Sequence, residues 1–437
     1  MLSEIEEAAA LQQNSLFDRE QEFIAPGLQT IALLSELAID HGNGCTLTDV
    51  NGRTYLDLNA GVSVASLGHA HPRYVAALSQ QLQRVSVGSF TSKPRAELVE
   101  LIAELAPGEL SRTQFFSGGA EAVEAAIRLA RSYTKRTDIV GFTGGFHGKT
   151  AGVLPISDID WKHAVGPLPP GQHVSRFPDP TRFEGSPQQC AESALAELRK
   201  VVEEKASGRP AAIIVEPIQG TAGNIIPPSG FLADVRSLAC EYGALLIADE
   251  MITGFGRTGR MFGCEHEGIV PDIMTVGKGM GSGFPISAVI STDKIMSAKP
   301  FALPSASSSS YGGNPLACAA ALVTIRTILD DRLVANAASL GDLLRDGFQT
   351  IAQQRGTIAN VRGRGLLVGF DLVETGDDKT LWPKAKCIEF FKHCLGHGLI
   401  IMGYTPRVRV HPPLILRRSE AEEALTIVDR VLGEMAP

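Results

Sequence analysis

Five short apolar runs constrain the fold of this chain more than anything else in it. They lie at residues 114–116, 139–142, 211–215, 244–248 and 273–276, and each stops at small or polar residues. Amphipathic helical stretches, notably 122–131 and 189–204, fall between several of them. Runs this short, each bounded by turn residues and separated by helix-length segments, read as buried strands of a mostly parallel sheet covered on both faces. Such sheets bind ligands beyond the carboxyl ends of their strands. The residues just past each run are therefore the place to look for chemistry.

The rest of the chain limits the alternatives. Its 437 residues are enough for more than one domain, and charged residues make up an ordinary 20%. The balance of 40 basic and 48 acidic residues gives −8, which offers no basic face for nucleic acid. Seven cysteines, at 45, 190, 240, 264, 318, 387 and 394, are dispersed without a C-x-x-C pair. That pattern argues against a disulfide framework or a zinc site and fits a reducing compartment. The start, MLSEIEEAAALQQNS, is acidic and unlike a signal peptide, and no apolar run reaches membrane-spanning length. A cytoplasmic protein without membrane or nucleic-acid partners is expected. Residues 166–186, rich in Pro and Gly, read as a surface excursion. From about residue 330 a long amphipathic helix is expected, then short strands near 365–373 and 407–410. The first sixty or so residues are expected to pack with this tail as a second, smaller domain.

Past the fourth run stands Asp249-Glu250, followed by Gly254-Phe-Gly256-Arg-Thr-Gly259, literally G-x-G-x-x-G. A dinucleotide loop puts its first glycine at the strand end, so that pyrophosphate meets a helix N-terminus. Two carboxylates occupy that place here and would repel phosphates, and the glycine-containing segment that follows opens poorly as a helix. The nicotinamide reading fails. A carboxylate at a strand end needs a cation, and 29 residues on Lys278 stands between Gly277 and Gly279 at the end of the fifth run. The flanking glycines are expected to leave its amine open for covalent chemistry. Aspartate and lysine on neighbouring strand ends suit pyridoxal phosphate, whose ring nitrogen needs a carboxylate to stay protonated.

Ser117-Gly118-Gly119-Ala120 joins the first run to a strongly periodic helix, and its N–H groups are placed to hold a phosphate if Glu121 faces away. Gly145-Phe146-His147-Gly148 follows the second run and offers an aromatic ring to stack on a flat cofactor. Each of these has a plainer reading taken singly: a solvated lysine, a tight strand–helix turn, a core phenylalanine, a structural histidine.

Together the residues resemble a family. Gly119-Ala-Glu-Ala122, Gly145-Phe-His-Gly148, Val215-Glu-Pro217 with Gln219-Gly220, Asp249-Glu250 with Thr253-Gly-Phe-Gly-Arg-Thr-Gly259, Lys278, and Tyr311-Gly-Gly-Asn-Pro-Leu316 follow the order and spacing of class III pyridoxal-phosphate aminotransferases, such as the 4-aminobutyrate and ornithine enzymes. Gly68-His-Ala-His-Pro72 and Arg409-Val-His-Pro-Pro413 extend the likeness to nearly the whole chain. The resemblance implies an α/β fold of the fold-type-I class: a large domain, residues 66–328, with a mostly parallel sheet under helices, and a smaller α+β domain from residues 1–65 and 329–437. It implies that Lys278 forms the Schiff base and shuttles the proton, that Asp249 pairs with the pyridine nitrogen, and that Phe146 stacks on the ring. Gly118, Gly119 and Ala120 would hold the phosphate through backbone N–H groups, and His147 and Met251 fall among the cofactor-binding residues. Ser310 would reach the phosphate of a partner subunit, in a homodimer with shared sites.

For substrate, the resemblance implies that Arg409 grips the α-carboxylate of glutamate or 2-oxoglutarate. Glu216 would pair with it when the other substrate lacks that group. Val62 and Lys149 complete the implied substrate set. Lys149 stands where the 4-aminobutyrate enzyme has arginine, so bidentate recognition is lost. Met251-Ile252 stands where many members have a glutamine that contacts the cofactor's 3′-oxygen, and Gly118 replaces a common serine. No metal is implied. The expected activity is ping-pong transamination between an amino acid and an aldehyde, ketone or ω-amino compound. An aminomutase, racemase or phospho-lyase would share the lysine and aspartate, and a non-catalytic cofactor-binding module is the alternative of another class.

Overall fold

The computed structural model describes residues 16–435. The acidic stretch at residues 1–15, read as unlike a signal peptide, lies outside the described residues. Near the N-terminus β1 (Ile39–Asn43), β2 (Thr46–Asp49) and β3 (Thr54–Asp57) form an antiparallel ribbon. The central sheet follows: β4 (Arg112–Phe116), β5 (Ile139–Phe142), β6 (Gln172–Ser175), β7 (Ala212–Val215), β8 (Leu245–Asp249), β9 (Ile273–Val276) and β10 (Ser287–Ser291). These seven strands lie in the order β4-β10-β9-β8-β7-β5-β6. All are parallel except β10, which is antiparallel to both neighbours.

The apolar runs form this sheet because both of its faces are buried. Ile139, Ala212, Ile214, Ile247, Ile273 and Val289 pack on one side against Val123, Ala126, Ile127 and Ala130 of the Gly119–Thr134 helix. Their alternates Val140, Ile213, Leu246, Met274 and Ala288 face the other core, with Leu198 and Val201 of the Pro187–Glu204 helix and Phe231, Val235 and Leu238 of the Phe231–Glu241 helix. Period-two alternation with apolar residues on both sides is what a doubly covered sheet requires. The region read as a surface excursion contains β6, an edge strand paired in parallel with β5. Its half-polar QHVS sequence, among prolines and glycines, carries no apolar run that would have announced it.

The C-terminal part begins with the Leu333–Arg355 helix. It continues through β11 (Ile358–Arg364), β12 (Leu367–Glu374), β13 (Asp377–Leu381), β14 (Leu399–Ile400) and β15 (Arg407–Val410). β12 is flanked by β11 and β15, both antiparallel. β14 pairs in parallel with β3, Leu399 opposite Leu56, so the two ends of the chain share one sheet.

Candidate active site

The carboxyl ends of β4, β5, β8 and β9 converge on one cavity of about 360 Å³. Its walls include Ser117, Gly119, Ala120, Phe146, Asp249 and Lys278, with His147, Met251 and Val64 beside them. β8 and β9 lie side by side with Asp249 opposite Thr275, which sets Asp249 and Lys278 at neighbouring strand ends.

Asp249 is buried and fully engaged. Its Oδ2 lies 2.6 Å from His147 Nδ1, and Oδ1 accepts from Thr275 Oγ1 at 3.0 Å and from the Met251 N–H at 3.2 Å. Burial pulls the His147 imidazole down, but the hydrogen bond and charge of Asp249, helped by Glu216, outweigh it and hold the ring above its ordinary pKa. The pair therefore carries a proton at Nδ1 and a carboxylate pointed at the cavity. Lys278 has φ of 39°, a shape most residues avoid, and remains partly exposed. Burial lowers its amine, Arg409 adds to that, and Asp249 and Glu216 oppose it.

The glycines around Lys278 serve close packing rather than openness. A Cβ on Gly277 would lie 2.7 Å from Met251 Sδ, and one on Gly279 would lie 2.5 Å from Ser66 Oγ. Glycine at these positions lets the strand end sit directly against Met251 and the 60–66 segment. That segment is itself unusual. Ala60, Gly61, Val62 and Ser63 have φ of 46°, 62°, 65° and 63°, a left-handed turn costing about 1–2 kcal/mol at each non-glycine. Asp57 Oδ1 holds it by accepting from the N–H groups of Asn59 (2.8 Å) and Ala60 (2.9 Å). The turn presents Val64 to the cavity; Val62, the expected substrate residue, lies outside the lining.

The phosphate turn is also adjusted. Glu121 Oε2 accepts from the N–H groups of Ser117 (3.1 Å) and Gly118 (2.7 Å). Glu121 thus bends back onto the turn instead of facing away, and Gly118 lies outside the cavity lining with its N–H taken. Gly119 and Ala120, the first two helical residues, have N–H groups that no carbonyl of their own helix can reach. They are the donors left for an anion.

Glu250, the other half of the acidic pair, has a separate task. Buried to 0% exposure, it accepts from Thr253 Oγ1 and from the N–H groups of Gly263 and Cys264, both at 2.7 Å. It braces the turn that carries the G-x-G-x-x-G residues. Gly259 in that turn approaches the Leu333–Arg355 helix so closely that a Cβ would lie 2.9 Å from Ala338 Cβ, and no α-helix follows it.

Glu216, just past β7, accepts from the Phe146 N–H at 2.8 Å and from the Gly220 N–H at 3.4 Å. Its carboxyl is pushed up to about 7, chiefly by burial. Arg409 sits on β15, opposite Gly369 of β12. Burial lowers its pKa, and Tyr404 beside it offsets part of the effect. Among the described residues Arg409 forms no ion pair, so the expected Glu216–Arg409 contact is open in this conformation. Lys149 and Ser310 are exposed and outside the lining. The sequence names Ser117 within the phosphate turn but does not single out Thr275 or Val64. Thr275 is legible as the polar member of an otherwise apolar run; Val64 has no sequence signal of its own.

An amine of lowered pKa, a braced carboxylate, an aromatic wall and two free N–H donors suit a flat, phosphorylated aldehyde with a basic ring nitrogen. The comparisons agree. The family model "Aminotransferase class-III" matches residues 31–432. Acetylornithine aminotransferase of Methanopyrus kandleri is 37% identical, over 88% of this chain and 91% of that protein. 4-Aminobutyrate aminotransferase of Escherichia coli is 33% identical, over 96% of this chain and 98% of that protein. The crystal structure of an amine transaminase from an uncultivated Pseudomonas species, in its PLP-bound form, superposes with a TM-score of 0.88 at 29% identity, covering 95% of this chain and 99% of that one. The chain belongs to the class-III aminotransferases, enzymes that transfer amino groups with pyridoxal phosphate.

Proposed function

We propose that this aminotransferase exchanges an amino group between glutamate and 2-oxoglutarate on one side and a terminal amine and its aldehyde on the other. One observation carries the reading. Arg409 is a half-buried guanidinium without a carboxylate partner among the described residues, and its charge reaches Lys278. A cation taken partly out of water is costly unless an anion completes it, and the α-carboxylate of a dicarboxylic substrate is such an anion. Glu216 is the alternative partner: ionised, it offsets Arg409 when the second substrate brings no carboxylate there.

When bound, pyridoxal phosphate supplies the carbonyl that receives the amino group and a ring that accepts electrons from the broken C–H bond. Lys278 Nζ would be the attachment point for that carbonyl and the group that moves a proton at the substrate carbon. Asp249 would pair with the ring nitrogen, and His147 fixes the orientation of Asp249 through Nδ1. Phe146 would face the ring. Met251 fills the wall between Gly119 and Gly277, and Gly119 and Ala120 would hold the phosphate. Val64 rather than Val62 faces substrate.

The same reading extends to a cytoplasmic homodimer. Ser310, exposed and away from its own cavity, is free to serve the site of a second copy. It also keeps the division into residues 1–65, 66–328 and 329–437, with the pairing of β3 and β14 in support of joining the two ends.

A donor panel tests the proposal. Purified protein is given 4-aminobutyrate, N-acetylornithine or a simple primary amine, with 2-oxoglutarate or pyruvate as acceptor. Glutamate formed from 2-oxoglutarate faster than alanine from pyruvate is expected. A preference for pyruvate would remove the role given to Arg409, and product formed without any acceptor would favour an intramolecular reaction.

A further inference from the structure

Three consecutive residues tie the loop that carries Glu216 to the sheet that carries Arg409. The Ala222 carbonyl accepts from Arg407 Nη1 at 3.2 Å, and the Gly223 carbonyl accepts from Arg362 Nε at 2.8 Å. Asn224 Nδ2 donates to the Val368 carbonyl at 2.6 Å, while Asn224 Oδ1 lies 2.8 Å from His411 Nε2. Arg407 and His411 stand two residues before and after Arg409, His411 just past the end of β15, and Val368 lies on the paired strand β12. On the other side the loop is closed by Gln219 and Ile225, which exchange both backbone hydrogen bonds at 3.0 Å. Glu216 is held within that closure by the Gly220 N–H.

Asn224 is the centre of this clasp. It is 0% exposed and has φ of 58°, a conformation asparagine tolerates better than most residues. The Val368 carbonyl can only accept, so the amide nitrogen must face it and Oδ1 must face His411. His411 therefore carries its proton on Nε2. Burial, followed by the charges of Arg409, Arg257 and Lys278, pushes the His411 pKa well below its ordinary value, so the ring stays neutral. Arg257 Nη1 secures the far end by donating to the carbonyls of Leu366 and Pro412.

We propose that Asn224 is a positioning residue that fixes the loop following Glu216 against the strand that carries Arg409, and thereby sets the discrimination between dicarboxylate and carboxylate-free substrates. The inference rests on the roles given to Arg409 and Glu216 above. Neither residue touches Asn224; it acts through β12, through His411 and through the loop closure.

The test uses the holoenzyme. Asn224→Gly keeps the positive φ and removes the amide; Asn224→Asp keeps Oδ1 for His411 but sets an oxygen against the Val368 carbonyl. Binding of glutarate is followed by calorimetry, KM is measured for 2-oxoglutarate and for a carboxylate-free primary amine, and thermal melting reports folding. Glutarate Kd and 2-oxoglutarate KM are expected to rise roughly tenfold or more in both variants. The amine KM and kcat should stay within about threefold. His411→Ala removes the donor to Asn224 Oδ1 and should raise the glutarate Kd as the Asn224 variants do, whereas His411→Gln, whose amide can still donate, should not; equal glutarate affinity in these two His411 variants overturns the proposal even if the Asn224 variants do not fold. Unchanged glutarate affinity, or equal losses for both substrates, overturns the proposal. Arg409→Ala is run beside them. If it abolishes glutarate binding while Asn224→Gly does not, only the clasp fails; if it leaves binding intact, the reading of Arg409 fails and takes the clasp with it.

Discussion

Glu216→Gln is the substitution whose effect can be worked furthest from the structure. Burial raises this carboxyl from 4.5 to about 7, against the lowering influence of His147. The folded protein thus holds the proton more tightly than the unfolded chain. At about 1.4 kcal/mol per tenfold change in proton affinity, the ionised form is disfavoured by about 3 kcal/mol. The stabilisation is fully present below pH 4.5, is lost as pH rises through 7, and is absent above that. Glutamine cannot ionise, yet its Oε1 can still accept from the Phe146 N–H. The variant should match wild type near pH 5 and exceed it near pH 8. With about 2.1 cal/mol/K of unfolding entropy per residue over 437 residues, the difference amounts to about 3 °C in Tm. Melting curves of both proteins, with cofactor removed, at intervals from pH 5 to 8.5 give the comparison. A gap that stays constant across this range would mean that Glu216 ionises normally in the fold and stays charged whichever substrate is bound. The same titration should raise the 2-oxoglutarate KM of wild type as pH passes 7, because the ionised Glu216 then competes for Arg409.

Two further substitutions separate the acidic pair. Asp249→Asn should retain bound cofactor but lower kcat at least roughly a hundredfold, measured in single-turnover absorbance experiments; unchanged kcat would deny Asp249 its role. Glu250→Ala leaves the buried N–H groups of Gly263 and Cys264 unpaired, at about 1–3 kcal/mol each. It should lower Tm by several degrees in thermal scans, and an unshifted Tm would show that the brace is dispensable.

The sheet and the site were legible to different degrees. The runs at 139–142 and 273–276 are β5 and β9 without adjustment, because apolar residues bounded by turn formers leave few other conformations, and 407–410 is β15, its Arg-Val-Arg-Val sequence carrying the period-two alternation of a half-buried strand. Strand ends then led to Asp249, Lys278, Phe146 and His147, since a parallel sheet brings its carboxyl ends together whatever the loops do. What escaped depends on contacts distant in sequence. β14 is only two residues long and exists because Leu399 and Ile400 find β3. The turn at 60–63 contains a single glycine, so three of its four left-handed residues gave no warning. Glu121 was expected to face away from the phosphate turn, but two N–H donors nearby hold its carboxylate instead. The pressure for glycine at 277 and 279 comes from Met251 and Ser66, which the sequence places far away.

The central claim is that Lys278 Nζ is the attachment point of the cofactor. Borohydride reduction of the purified protein, followed by digestion and peptide mass spectrometry, addresses it directly. A pyridoxyl-phosphate mass increment on the peptide that contains Val276-Gly-Lys278-Gly-Met280, and its loss in Lys278→Ala, is the predicted result. An unmodified Lys278 peptide, or the increment on another lysine, would contradict it.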